Sequence, residues 1–192
     1  MKTITFLMPM RGDTPIGGYK IVFEYANILV KNGYRVNIIY PSILLRKENN
    51  LMLNIKYLKD FFKLSLSKGY MPDKWFKLDG RIKNIWVPFI HKIFIPKSDY
   101  IVATAWQTAE ILNSIPDSKV KKIYLIQHFE DWSGEKNRVI NTWKMNLRKI
   151  VIAGWLKKIA EDLGEKAELI PNPMNFDEFG IDIPIEDRRE CI

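Results

Sequence analysis

The sequence predicts an α/β fold built on a doubly wound, mostly parallel sheet. Three observations carry that prediction. Short apolar runs of strand composition alternate along the chain with segments whose apolar residues recur at helical spacing. The first such unit, residues 4–41, reads as strand, glycine loop, helix, strand, and its crossover makes the two strands parallel. Several of the strand runs are apolar almost throughout, as strands covered on both faces are.

Residues 4–8 form the first expected strand and residues 35–40 the second. Between them Val22, Tyr25, Ala26 and Leu29 make one helical stripe. Asn32-Gly33 stops that helix, because glycine takes the left-handed cap conformation without steric cost. Residues 51–68 carry Leu51, Ile55, Leu58, Phe62 and Leu66 on one stripe, and Lys56, Lys59 and Lys63 on the next. This is either a surface helix with lysine stems lying over the core or a basic amphipathic helix lying on an acidic bilayer. A strand over residues 51–55 ahead of a shorter helix is a further option. A loop is expected over 69–80, then an extended segment over 85–89 that Pro88 demotes to an edge. Residues 100–104 read as a buried strand, and 106–115 as a helix stopped by Pro116. Residues 122–127 form the next central strand, followed by a helix running through Val139, Trp143 and Leu147. A short strand at 150–153, a helix from Gly154 to its cap at Gly164, and a strand at 167–170 complete the pattern.

A chain of 192 residues holds one core of this kind, and its 47% apolar and 27% charged residues are those of a globular protein. The single cysteine, Cys191, leaves no disulfide framework or thiolate cluster, which fits a reducing cytosol. The first apolar run breaks at Arg11-Gly12-Asp13, which is wrong for a signal peptide, and no run approaches the length of about 20 residues that a spanning helix needs. The expected protein is soluble and cytoplasmic, or peripheral at the inner face of the cell membrane. A net charge of +8 admits nucleic acid, an acidic membrane surface or phosphorylated substrates as partners. No RNP motif, zinc-finger spacing or basic heptad region appears, which argues against nucleic acid.

Candidate chemistry gathers at the strand ends. In doubly wound sheets ligands bind there, and a helix N-terminus behind Gly17-Gly18 would present free amides and a positive dipole end to an anion. The spacing matches neither the dinucleotide fingerprint nor the P-loop, so phosphate contact and a plain tight turn both remain open. His128, Glu130 and Asp131 follow the central strand at 122–127 and could act as general base or as acceptors for hydroxyl groups. Phe129, Trp132 and Trp106 add flat faces on which sugar rings stack. The alternative is an acid pair capping a helix beside a structural histidine. His91, with no acid beside it, reads as structural. Two distant histidines make no metal site, and the hydrolase elbow and kinase motifs are missing.

The order of motifs carries a resemblance. Gly17-Gly18-Tyr19-Lys20-Ile21-Val22-Phe23-Glu24-Tyr25-Ala26-Asn27, followed by Asn32-Gly33-Tyr34-Arg35-Val36, resembles the N-terminal signature of family-4 glycosyltransferases of the GT-B fold. Residues 99–109 and 124–130 are similar to the bacterial rhamnosyltransferase-type branch, and Pro171-Asn172-Pro173-Met174-Asn175-Phe176-Asp177-Glu178-Phe179 to the segment that ends the first domain of such enzymes. Pro173 and Asn175 stand where that family has Gly and Asp, and Ala153-Gly154 where it often has a capping serine.

The resemblance implies a Rossmann-like, acceptor-binding N-terminal domain over 1–180, with 181–192 as linker into a donor-binding domain. It implies transfer of a sugar from a nucleotide-sugar to a glycan or lipid-linked acceptor, with retention and without a metal or other cofactor. By the same resemblance Gly17, Gly18 and Tyr19 meet the donor phosphates, and His128, Glu130 and Asp131 are catalytic. Arg11, Trp106 and Trp132 then serve the acceptor, and the domain alone is inactive. A non-catalytic sugar-binding module and a basic membrane-surface or nucleic-acid-binding protein are the competing expectations.

Overall fold

Strand β1 (Thr3–Leu7) lies in the middle of the sheet, with Leu7 and the following Met8 wholly buried. In the computed structural model, which describes residues 1–44, 51–116, 119–133 and 135–172 (the side chains of 51–58 and 133 excepted), seven parallel strands run in the order β3-β2-β1-β4-β5-β6-β7. Helix α1 (Gly17–Lys31) follows β1 and buries Tyr19, Val22, Phe23, Ala26 and Val30. It ends at Asn32, and Gly33 turns the chain at φ +83° into β2 (Arg35–Pro41). Residues 51–67 are helical throughout as α2 (Leu51–Ser67), so the option of a strand at 51–55 is corrected. Strand β3 (Lys83–Val87) forms one edge of the sheet and stops before Pro88, which has no N–H to give.

On the other side of β1 come β4 (Tyr100–Ala103), α3 (Trp106–Ser114) and β5 (Lys121–Ile126). Helix α4 (Lys136–Trp143), β6 (Arg148–Val151), α5 (Gly154–Asp162) and β7 (Ala167–Leu169) follow. The stripe expected to carry α4 as far as Leu147 ends at Trp143 instead; Leu147 is buried ahead of β6. The domain limit at residue 180 and the departures at Pro173 and Asn175 lie outside the described residues.

The alternating strand residues feed two separate cores. Ile4, Phe6, Val36, Ile38 and Val102 pack beneath α1, while Leu7, Ile39, Ala103, Tyr124 and Ile126 face α3, α4 and α5. Because β2 and β4 flank β1 on opposite sides, the chain departs from the centre in two directions, and the crevice of a doubly wound sheet opens between the C-terminal ends of β1 and β4. A cavity of about 380 Å³ lies elsewhere, on the sheet face beside α1, walled by Ile4, Phe6, Leu29, Tyr100, Ile123 and Ile150. Neither the Gly17-Gly18 helix start nor residues 127–132 line it.

Candidate functional site

The loop from β1 to α1 is laid on an aromatic floor. Gly12 N–H donates to the Tyr70 carbonyl at 2.7 Å, and Trp75 Nε1–H donates to the Gly12 carbonyl at 2.8 Å. A Cβ at Gly12 would stand 2.9 Å from Tyr40 Cε1 and 3.1 Å from Phe23 Cζ, so only glycine fits this approach. Beside it Arg11, half-exposed, pairs with Asp13 at 3.0 Å. The extended Ile16 precedes α1 and supplies no side-chain cap. Its carbonyl accepts the N–H groups of Tyr19 and Lys20, whereas the Gly17 and Gly18 N–H groups find no partner among the described residues. Two unsatisfied donors at a dipole end therefore face the crevice.

The end of β5 is tied to this helix start. Gln127 Nε2–H donates to the Gly18 carbonyl at 3.0 Å, and a Cβ on Gly18 would already touch that amide at 3.4 Å. His128 follows and is exposed. Its Nδ1 accepts the Phe129 N–H at 2.9 Å, which fixes the lone pair on Nδ1 and leaves Nε2 to carry the proton of the neutral ring. Glu130 then takes a left-handed backbone, φ +59°, uncommon for a residue with a side chain. Its Oε2 accepts the Trp106 N–H at 3.0 Å at the N-terminus of α3. Burial pushes the Glu130 carboxyl up to about 7, against the opposing pull of that N–H. Thr104 Oγ1–H donates to the Leu7 carbonyl at 2.9 Å and closes the seam between β1 and β4.

An aromatic wall stands on the outer side. The His128 ring meets Trp132 edge-on at 4.3 Å and Trp155, from the first turn of α5, at 5.1 Å. Both indoles are open, 65% and 48% exposed. Ala153 gives α5 no side-chain cap. Asp131 is exposed and opens a single 3₁₀ turn.

The fold thus brings Gly17, Gly18, His128 and Glu130 to one edge, with Trp132 beside His128 and Arg11 on the β1–α1 loop. Two expected contacts need correction. Trp106 is 5% exposed in the core against α3–α5, with the Arg138 guanidinium 4.9 Å above its ring, so it offers no open face. Tyr19 is buried under the loop with its ring edge against Phe23 at 6.2 Å, so its side chain does not line the crevice. His91 caps the 3₁₀ turn at Lys92–Phe94. Sequence reasoning missed Gly12, Gln127 and Trp155. A polar residue closing an apolar strand was the signal for Gln127, and Gly154-Trp155 opening a helix was the signal for Trp155.

Among the described residues no group of three or more His, Cys, Asp or Glu side chains could hold a metal ion. No helix among them is long and apolar enough to cross a membrane.

No protein-family model matches the chain, and no curated protein matches it in sequence. Among solved structures it is similar to an alpha-glucosyltransferase in complex with UDP and a 13-mer DNA containing a HMU base. The TM-score is 0.50 and the identity 12%, over 92% of this chain and 44% of that one. The chain therefore spans less than half the length of the structure it matches. At that identity the likeness is one of fold: the chain has the Rossmann-like α/β fold of a GT-B glycosyltransferase domain.

Proposed function

We propose that this chain is the acceptor-side domain of a retaining, GT-B-fold glycosyltransferase of the family-4, rhamnosyltransferase-like kind. In this reading the diphosphate of a nucleotide-sugar sits against the Gly17 and Gly18 N–H groups. His128 orients the reacting hydroxyl or moves its proton, and Arg11 and Trp132 hold a glycan or lipid-linked acceptor. The helix dipole stabilises the departing diphosphate without a metal ion. The observation that carries the reading is the 3.0 Å bond from Gln127 to the Gly18 carbonyl, because it places the His128 loop at the mouth of the amide-lined helix start.

The test uses the protein with both halves of its cleft, assayed for sugar transfer from nucleotide-sugars. His128→Ala is expected to lower kcat by about 10²-fold with little change in stability. Gly18→Val is expected to raise the donor KM instead, since its branches crowd Gln127 and hold phosphate off the amides. A fully active His128→Ala enzyme, or a Gly18→Val enzyme with unchanged donor use, counts against the assignment. The solved neighbour was captured with DNA, so a DNA duplex belongs in the same assay as the competing acceptor. Salt-steep DNA binding that blocks transfer to saccharides would favour the nucleic-acid reading.

A further inference from the structure

Helix α2 packs on the sheet through one stripe and leaves another bare. Phe61 stacks on Trp86 of β3, with centroids 5.9 Å apart and planes 12° from parallel, and its carbonyl accepts the Trp86 Nε1–H at 3.0 Å. Trp86 in turn stacks on Tyr70 at 5.0 Å. With Phe61 anchored inward, Phe62 and Leu66 face out, 59% and 90% exposed and one helical turn apart. Among the described residues no other large apolar side chain is as open as Leu66. Lys59 and Lys63 are exposed on the same strip, since positions 59, 62, 63 and 66 share a helical face.

We infer that this strip docks the protein on an anionic bilayer surface. Phe62 and Leu66 enter the interface, and Lys59 and Lys63 meet the lipid phosphates. Charge complementarity selects that occupant. Over residues 59–68 the lysines are Lys59, Lys63 and Lys68, all exposed, against the single, half-buried acid Asp60, in a chain of net charge +8. A second copy of the chain would bring the same lysines face to face.

Along the chain the strip also leads into the segment that supports the β1–α1 loop. Beyond α2 the chain passes through Gly69 to Tyr70, the residue whose carbonyl holds Gly12 in the β1–α1 loop. A crevice held at a bilayer in this way meets an acceptor carried on a lipid. That last consequence rests on the proposed function; the docking itself does not.

The test is co-sedimentation of the 192-residue chain, with no donor present, on vesicles of phosphatidylcholine and phosphatidylglycerol in equal parts and on pure phosphatidylcholine. Binding is expected on the acidic vesicles only, and it should weaken as salt rises beyond about 0.1 M. Lys59→Glu with Lys63→Glu is expected to weaken it about tenfold or more. Phe62→Ser with Leu66→Ser should do so to a similar degree. Circular dichroism should show both pairs folded, because all four side chains are exposed. Absence of binding to the acidic vesicles, or binding by either variant pair as strong as the parent's, overturns the inference. So does a dimer in sedimentation equilibrium that Phe62→Ser with Leu66→Ser abolishes. Vesicle binding as expected, together with no sugar transfer by the protein with both halves of its cleft, would fault the transferase reading alone.

Discussion

Glu130 joins a left-handed backbone, a buried carboxyl and a helix N-terminus in one residue, and each bears on the others. The backbone conformation costs about 1 kcal/mol or more, which the hydrogen bond to Trp106 N–H helps to offset. Burial raises the carboxyl from an ordinary 4.5 to about 7, so the folded chain holds this proton where the unfolded chain has released it. The associated stability is fully present below 4.5, declines through the window between, and is lost above about 7. Glu130→Gln keeps an oxygen for Trp106 but does not titrate. Urea unfolding should therefore show the variant gaining about 2 kcal/mol relative to the parent between about pH 5 and about pH 8. Parallel pH profiles for the two proteins would contradict the burial. At this scale the sequence was half legible. It pointed to His128 and Glu130 because polar residues followed a central strand, yet nothing in it distinguished the buried Trp106 from the open Trp132. The face an indole presents is decided by neighbours distant in sequence, here Arg138.

At the scale of elements, the β6–α5–β7 unit shows what holds the far edge of the sheet. Lys149 lies on β6 with its side chain 4% exposed, and its ammonium donates to Glu165 Oε2 at 2.9 Å and to the Met145 carbonyl at 2.9 Å. Removing the carboxylate leaves a buried charge short of a partner. Glu165→Ala should cost about 2 kcal/mol, discounted because Glu165 is partly exposed, whereas Lys149→Met should cost less. Denaturant midpoints of the two single variants decide the order. Lys149 also shows why ends of elements were harder to read than their centres. Met145 and Leu147 extend the apolar stripe of α4, but their carbonyls go to Lys149 rather than onward along a helix. The central strands expected over 100–104 and 122–127 are observed at Tyr100–Ala103 and Lys121–Ile126, read to within a residue because both faces are covered and their apolar runs are long.

At the scale of the whole molecule, the order of the strands explains why fold class was easier to read than site. Alternation of elements is written locally, but the meeting of Gly18 with Gln127 spans 109 positions and leaves no local trace. Two full cores, one on each side of the sheet, predict that the 192 residues fold alone. With half the proposed cleft elsewhere, they should not transfer sugar alone. A single cooperative urea transition together with no turnover is the expected pair of results; robust turnover by this chain alone would count against the division of labour. The same strand order has a consequence during synthesis. β1 leaves the ribosome well before β4, yet Ile4 pairs with Tyr100 and Leu7 with Ala103. At roughly 5–20 residues per second, one edge of β1 waits on the order of ten seconds for its neighbour to leave the ribosome. Until then the nascent chain carries an open strand edge suited to pairing with other chains, so its yield in the cell should depend on chaperones that shield β1 until β4 is made.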